Sequence, residues 1–198
     1  MEYMSTEFAG LQAESDYNNF CSMVGRRQSP VFPEDIAETL WGIPTIFLEQ
    51  DALEGDAIAY ASFENNRIVV ESCGYEPRDR FSNAHEVGHF SLHKYLVELG
   101  EVYDKHEHFR EKQADAYASA LLMPKDQLVS FLDSKAGLLD SPEYFIAITQ
   151  DKFLVSKVAA SIRLENLGLI PVENLKRSVW DYERSVDGER EEWGSERW

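Results

Sequence analysis

Cysteine is scarce in this sequence: Cys21 and Cys73 are the only two, and they lie far apart without metal-type spacing. They cannot by themselves build a disulfide framework or a thiolate zinc site, so both are expected to be reduced packing residues. Long apolar runs are also missing, because no stretch approaches the roughly 20 residues that cross a bilayer. The N-terminal segment MEYMSTEFAG lacks the basic and apolar parts of a signal peptide. These absences predict a cytoplasmic protein that does not enter a membrane.

Basic residues are outnumbered by acidic ones. Lys and Arg total 19 against 36 Asp and Glu, which gives a formal net charge of -17 at pH 7. Such a surface repels the phosphate backbone on which nucleic-acid affinity chiefly depends, so direct DNA or RNA binding is not expected. The same charge favours a basic partner, although acidity also serves simply to keep a protein in solution.

The proportions that remain are those of a globular chain. Hydrophobic residues make up 43% and charged residues 28% of 198 positions, which predicts one folded domain. Short runs of strand-forming residues occur at 45–48, 58–63 and 67–71. Asn65 and Asn66 separate the last two runs and tolerate positive φ, which favours a hairpin. The expected fold is therefore α+β, with a small and mostly antiparallel sheet.

Helical patterns surround these strands. Residues 1–29 contain scattered apolar positions at helical spacing, which indicate a loosely packed leading helix; they are Phe8, Leu11, Phe20 and Met23. A short helix is predicted from Pro33 until Gly42, and a long one keeps a period near 3.6 from Phe81 until Gly100. Another runs from about Arg110 to Leu122, and further helices follow as far as Leu167.

The long helix carries the string His85-Glu86-Val87-Gly88-His89, an H-E-x-x-H pattern. At about 100° per residue, the two histidines lie about 40° apart around the axis and about 6 Å apart along it, so both rings can bind one metal ion. Glu86 points away from His85 and can reach a metal-activated water without binding the metal, which suits a general base. The pattern predicts a catalytic zinc site.

A catalytic zinc usually has a third protein ligand. His93 is excluded, because about 12 Å of helix rise separates it from His85. The extended metzincin motif is also absent, since Leu92 and Tyr95 occupy its glycine and histidine positions. Glu111 is the better candidate, with Asp115 one turn later on the same helix face to accept a ring N–H from a ligand histidine. The alternative is that both acids are ordinary solvent-facing charges.

Three residues near Glu111 are candidates for stabilising the oxyanion that forms when water attacks a peptide carbonyl. They are Tyr103, His106 and His108, which lie between the two helices of the proposed site. Each could donate a hydrogen bond to a developing negative charge. Loop histidines and tyrosines are also common as plain exposed residues, so this role is open.

Two sequence blocks resemble the ImmA/IrrE group of metallopeptidases. RFSNAHEVGHFSLH at 80–93 is similar to the group's RFxxAHExGHxxLH signature, and EKQADAYASALLMP at 111–124 resembles its ExEAxxFAxxLLMP motif. FLVSKVA at 153–159, followed by RLENLG at 163–168, is similar to the end of the family domain. The second block departs from the motif at Gln113 and Asp115, but neither departure affects Glu111.

The resemblance covers residues 33–171, leaving 1–32 as an N-terminal extension and 172–198 as an acidic, tryptophan-containing tail. It implies a zincin-like metal-binding helix followed by a helical part, and a divalent ion, with zinc expected and manganese or iron as alternatives. It also implies a protein substrate, a basic helix-turn-helix repressor whose cleavage would derepress mobile-element or stress genes. Two other hypotheses remain open: a binding module that sequesters its partner without cutting it, and a toxin neutralised by a basic partner.

Overall fold

A computed structural model describes residues 5–53, 58–98, 107–135 and 141–171. Three strands and seven helices lie within these ranges, which confirms the α+β class; in chain order they are α1 (Thr6–Val24), α2 (Pro33–Trp41), β1 (Thr45–Leu48), β2 (Ala59–Ser62), β3 (Arg67–Glu71), α3 (Glu76–Glu98), α4 (Glu107–Leu122), α5 (Lys125–Asp133), α6 (Pro142–Phe153) and α7 (Lys157–Asn166). None of these helices is both long and apolar enough to span a bilayer.

Local sequence signals set several helix ends. The side chains of Ser5, Ser141 and Ser156 accept hydrogen bonds from backbone N–H groups in the first turns of α1, α6 and α7. Helix α2 begins with proline and ends at Gly42, whose φ of 65° is a left-handed conformation that favours glycine. The predicted short helix from Pro33 is confirmed.

The sheet is mixed rather than mostly antiparallel. Its strand order is β1-β3-β2, in which β2 pairs antiparallel with β3 and β1 pairs parallel with β3. The hairpin is confirmed, and Asn66 has the positive φ that its turn requires. The expectation of a mostly antiparallel sheet was wrong because the hairpin leaves β3 with one open edge, and β1 pairs with that edge in the same direction as β3. The outer edge of β2 therefore pairs with no strand among the described residues.

Helix α3 packs against one face of this sheet. Ile68 and Val70 of β3 are fully buried and join the hydrophobic core with Ala84 and Val87 of α3. These alternating strand residues point to the same face, so they hold the middle of α3 over the sheet. The H-E-x-x-H segment thus lies on an element that is buried on its sheet-facing side.

Helix α1 is packed tightly, which corrects the expectation of a loosely packed leading helix. Its core face consists of Ala9, Ala13, Tyr17 and Phe20, all buried in the same core as α3 and α4. Three of the four apolar residues that suggested the helix are instead exposed: Phe8, Leu11 and Met23. Alanine contributes little to a hydrophobic pattern, so the largest apolar residues indicated the wrong face. Small side chains let α4 approach closely.

A buried carboxylate joins α1 to the two helices of the site. Asp16 is 4% exposed and accepts hydrogen bonds from the Tyr117 hydroxyl of α4 at 2.8 Å and the Ser91 hydroxyl of α3 at 2.6 Å. Gln12 donates a third, at 2.9 Å. Because the bonded hydroxyls belong to both α3 and α4, this one side chain fixes the relative position of three helices.

The start of α3 is anchored by another buried polar group. Arg80 donates to the carbonyl oxygen of Phe153 at 2.9 Å and to that of Leu154 at 2.5 Å, where α6 ends. It also donates to the carbonyl oxygen of Val31, just before α2. The three carbonyl acceptors replace water at the two terminal nitrogens of the guanidinium, and they tie α3 to the end of α6 and to the segment before α2.

Candidate metal centre

Helices α3 and α4 bring three ligand-type side chains together. The Nε2 atoms of His85 and His89 are 3.0 Å apart. Glu111 places one carboxylate oxygen 3.1 Å from Nε2 of His85 and the other 3.3 Å from Nε2 of His89. Atoms that bind one tetrahedral zinc at about 2.0–2.2 Å lie roughly 3.3–3.5 Å from each other, so the spacing is close to what zinc requires.

The donor set itself also fits a metal. Two imidazoles and one carboxylate form a combination found at catalytic zinc sites that keep a fourth position for water. The contact with His89 is the largest cause that lowers the pKa of Glu111, to about 2, and the neighbouring His85 adds to it. Glu111 is therefore ionised at neutral pH and available as an anionic ligand.

Asp115 lies where it can orient His85. One of its carboxylate oxygens is 2.9 Å from Nδ1 of His85, so that nitrogen donates its proton and Nε2 is left as the free lone pair. Burial by itself would lower the pKa of His85, but the Asp115 hydrogen bond and the charges of Glu86, Asp115 and Glu111 outweigh burial and raise it. The role of Asp115 in orienting a metal ligand stays a prediction.

His93 does not join the ligand cluster, but it lies directly behind it. It is fully buried, with Nδ1 2.9 Å from Nδ1 of His89 and Nε2 3.1 Å from Oε1 of Gln113. Burial, reinforced by the neighbouring His89, lowers its pKa to about 4. The sequence excluded His93 as a ligand but did not reveal this contact. The signals available were the position of His93, four residues after His89, and that of Gln113, two residues after Glu111.

Glu86 lies between the ligand cluster and the sheet. Only 8% of it is exposed, and burial is the largest cause that raises the pKa of its carboxyl group, against the lowering effect of His89 and His85. It accepts a hydrogen bond from the backbone N–H of Ala61 in β2. A carboxyl group with a raised pKa, next to a potential metal-bound water, suits proton transfer at neutral pH.

A cleft of about 370 Å³ opens over this group. Its lining combines acidic and histidine side chains with apolar ones, namely Ile58, Ala59, Phe81, Ser82, His85, Glu86, Glu111 and Asp115. The chemically active side chains therefore reach solvent through a space bordered by β2.

Of the three oxyanion candidates, only His108 lies among the described residues. His108 is exposed in the first turn of α4 and does not line the cleft. Tyr103 and His106 fall outside the described residues. The oxyanion role of all three remains a prediction.

Close packing at Gly88 sets the distance between α3 and α4. A Cβ atom at this position would lie 3.1 Å from Cβ and Cδ1 of Tyr117. Ordinary carbon contacts are about 3.5–4.0 Å, so glycine allows an approach that a larger residue would prevent. The gap between the two histidines on α3 and Glu111 on α4 depends on this contact.

Comparisons with known proteins identify the family and the fold of the chain. A family described as the IrrE N-terminal-like domain, Peptidase_M78, matches residues 41–165. Among solved structures, a Mycobacterium tuberculosis transcriptional regulator is similar with a TM-score of 0.54 and 14% identity, which shows a shared fold. The similarity covers 77% of this chain and 44% of the mycobacterial chain, so this chain spans less than half of that protein. No curated protein matches the chain.

Proposed function

Because the chain belongs to the IrrE N-terminal-like peptidase family, we propose that it is a zinc-dependent endopeptidase. The observation that supports this most directly is the convergence of His85, His89 and Glu111 beside the buried Glu86. A bound zinc ion would supply a Lewis acid and lower the pKa of its water towards about 7. Zinc is proposed over manganese or iron because two histidines of an H-E-x-x-H helix and a glutamate form the zinc ligand set of metalloproteases.

Glu86 and Asp115 have different proposed roles at the site. Glu86 takes a proton from the attacking water and delivers it to the leaving amine, a role for which its raised pKa is suited. Asp115 keeps His85 oriented, with Nδ1 protonated and Nε2 facing the ligand cluster. The ligands come from two helices that Gly88 and Asp16 hold at a fixed separation, so the geometry does not depend on a loop.

The substrate is proposed to add as a strand to the outer edge of β2. The carbonyl oxygen of Ile58 accepts from the backbone N–H of Glu71, so the backbone groups of the next residue, Ala59, point away from β3. Ala59 also lines the cleft. An extended peptide bonded there would run past Glu86 and the ligand cluster.

The proposed substrate is a basic protein of the helix-turn-helix repressor type, cut in the cytoplasm to derepress mobile-element or stress genes. The net charge of -17 supports a basic partner, since opposite charge speeds encounter and disfavours acidic competitors. The repressor identity rests on the family resemblance.

The test uses Glu86→Gln as a trap for host proteins, with Glu76→Gln, an exposed position on the same helix, as the matched control. Zinc-loaded wild-type protein and the control should convert the trapped partner into two fragments of defined mass. Cleavage of the partner by Glu86→Gln should be slower by about 100-fold or more, because the substitution removes the general base. A partner that binds firmly yet stays whole with zinc, manganese and iron would contradict the peptidase and favour the sequestering module.

A further inference from the structure

Three side chains form a buried chain of polar contacts that starts at the ligand cluster and ends at an amide. Nδ1 of His89 is 2.9 Å from Nδ1 of His93, and Nε2 of His93 is 3.1 Å from Oε1 of Gln113. His93 is fully buried and Gln113 is 3% exposed. The protons in this chain are therefore placed by protein groups rather than by bulk water.

The chemistry of the terminal amide decides where each proton lies. An amide oxygen only accepts, so Nε2 of His93 must donate to Gln113. A neutral imidazole carries one ring proton, which leaves Nδ1 of His93 as an acceptor. The donor to that nitrogen is then Nδ1 of His89. The other nitrogen of His89, Nε2, is left with a lone pair directed at the cluster.

We infer that His93 and Gln113 are positioning residues that fix the tautomer of His89 so that Nε2 is free to bind metal. The inference rests on the proposed metal site. The two ligand histidines are thus oriented by different groups. The Asp115 carboxylate orients His85, and the neutral pair His93 and Gln113, called the relay below, orients His89.

Burial explains why the two fixing groups differ. The Asp115 side chain is 57% exposed, so its charge stays hydrated. At position 113 the acid of the related motif would be almost fully removed from water, and only a positively charged partner such as a protonated His93 would offset that cost. A neutral amide provides the same hydrogen-bond acceptor without that cost.

The first test is Gln113→Met, which keeps the length of the side chain and removes the amide acceptor. Lys112→Met, one residue earlier and exposed, is the matched control. Zinc affinity of the full chain is measured by competition with a chromophoric chelator, and folding by thermal unfolding of the metal-free protein. Gln113→Met should bind zinc about 10-fold more weakly, the lower end of the range for groups bonded directly to a ligand, because Gln113 acts through His93, while the control stays near the wild-type value.

A second pair of variants separates hydrogen bonding from packing. His93→Asn can still place an oxygen near the position of Nδ1 and should retain most of the zinc affinity, whereas His93→Leu should resemble Gln113→Met. If packing alone mattered, zinc affinity would follow the thermal stability of the variants. Rescue by asparagine without a matching rescue of stability supports the relay.

The third measurement is spectroscopic and needs no metal. Long-range proton–nitrogen correlation of the histidine rings should show the His89 proton on Nδ1 in the wild type and a mixture of tautomers in Gln113→Met. A wild-type His89 with its proton on Nε2, or wild-type zinc affinity in Gln113→Met, would overturn the inference. A protein that binds zinc but cuts nothing would refute the peptidase and leave the relay standing.

Discussion

Replacing Asp16 with alanine should destabilise the whole domain. The carboxylate accepts from the hydroxyls of Tyr117, which is fully buried, and of Ser91. Leaving a buried hydroxyl unpaired costs about 1–3 kcal/mol. The fully buried Tyr117 hydroxyl takes the upper end of this range and the half-buried Ser91 hydroxyl the lower end. After subtraction of the desolvation cost that the lost carboxylate no longer incurs, the net loss is about 3 kcal/mol. For a chain of this size that corresponds to a melting temperature lower by about 6–12 °C.

Urea unfolding followed by circular dichroism measures this loss directly. Ser15→Ala is the matched control, because Ser15 is the adjacent residue on α1 and is exposed; it should change the free energy of unfolding by no more than about 0.5 kcal/mol. A double-mutant cycle with Tyr117→Phe tests the assigned contact. Removing the hydroxyl should reduce the penalty of Asp16→Ala by about 1 kcal/mol or more, since the unpaired donor is gone.

Two results would refute this reasoning. If Asp16→Ala loses less than about 1 kcal/mol, the buried hydrogen bonds are not worth what their burial implies. If the cycle shows no coupling, Tyr117 does not depend on Asp16. Either result would also mean that α1, which precedes the family match at residues 41–165, is not held to α3 and α4 by this carboxylate.

Three further perturbations test the packing, the metal site and a helix cap. Gly88→Ala should lower stability by about 1 kcal/mol, because crowding against Tyr117 costs about 1–3 kcal/mol and outweighs a gain of about 1 kcal/mol in helix propensity; a higher melting temperature would contradict this. Zinc at 100 times its dissociation constant should raise the free energy of unfolding by about 2.7 kcal/mol, and a chelator should reverse this increase. His89→Ala should show no such increase, and an equal increase in that variant would exclude His89 as a ligand. Ser156→Ala should lose about 1 kcal/mol, since the side chain accepts from the backbone N–H of Ala159 at the start of α7; an unchanged urea midpoint would show that the cap contributes nothing.

Periodic patterns and turn residues made much of the fold predictable. The helix around His85, the hairpin at Asn66 and the class of the fold all follow from local spacing, and the structure confirms them. The convergence of Glu111 with the two histidines could be anticipated because a zinc ligand set requires a third donor. These features depend on short-range geometry or on chemistry that only a few residue types can perform.

The features that could not be predicted depend on contacts between distant segments. The parallel pairing of β1 with β3 depends on which edge the hairpin leaves open, which strand propensity does not report. The buried face of α1 is marked by small residues, so a hydrophobic pattern points elsewhere. His93 was excluded as a ligand on helix geometry alone, and its contact with Gln113 required the relative position of α3 and α4.

The open edge of β2 carries a risk as well as an opportunity. Backbone groups that can hold an extended peptide can also hold the same strand of a second copy, which is the first step of edge-to-edge aggregation. Two properties of this chain oppose that step. The strand is only four residues long, so self-pairing offers few hydrogen bonds, and a net charge of -17 makes two copies repel each other. A strongly acidic surface therefore allows the outer edge of β2 to stay unpaired at high protein concentration.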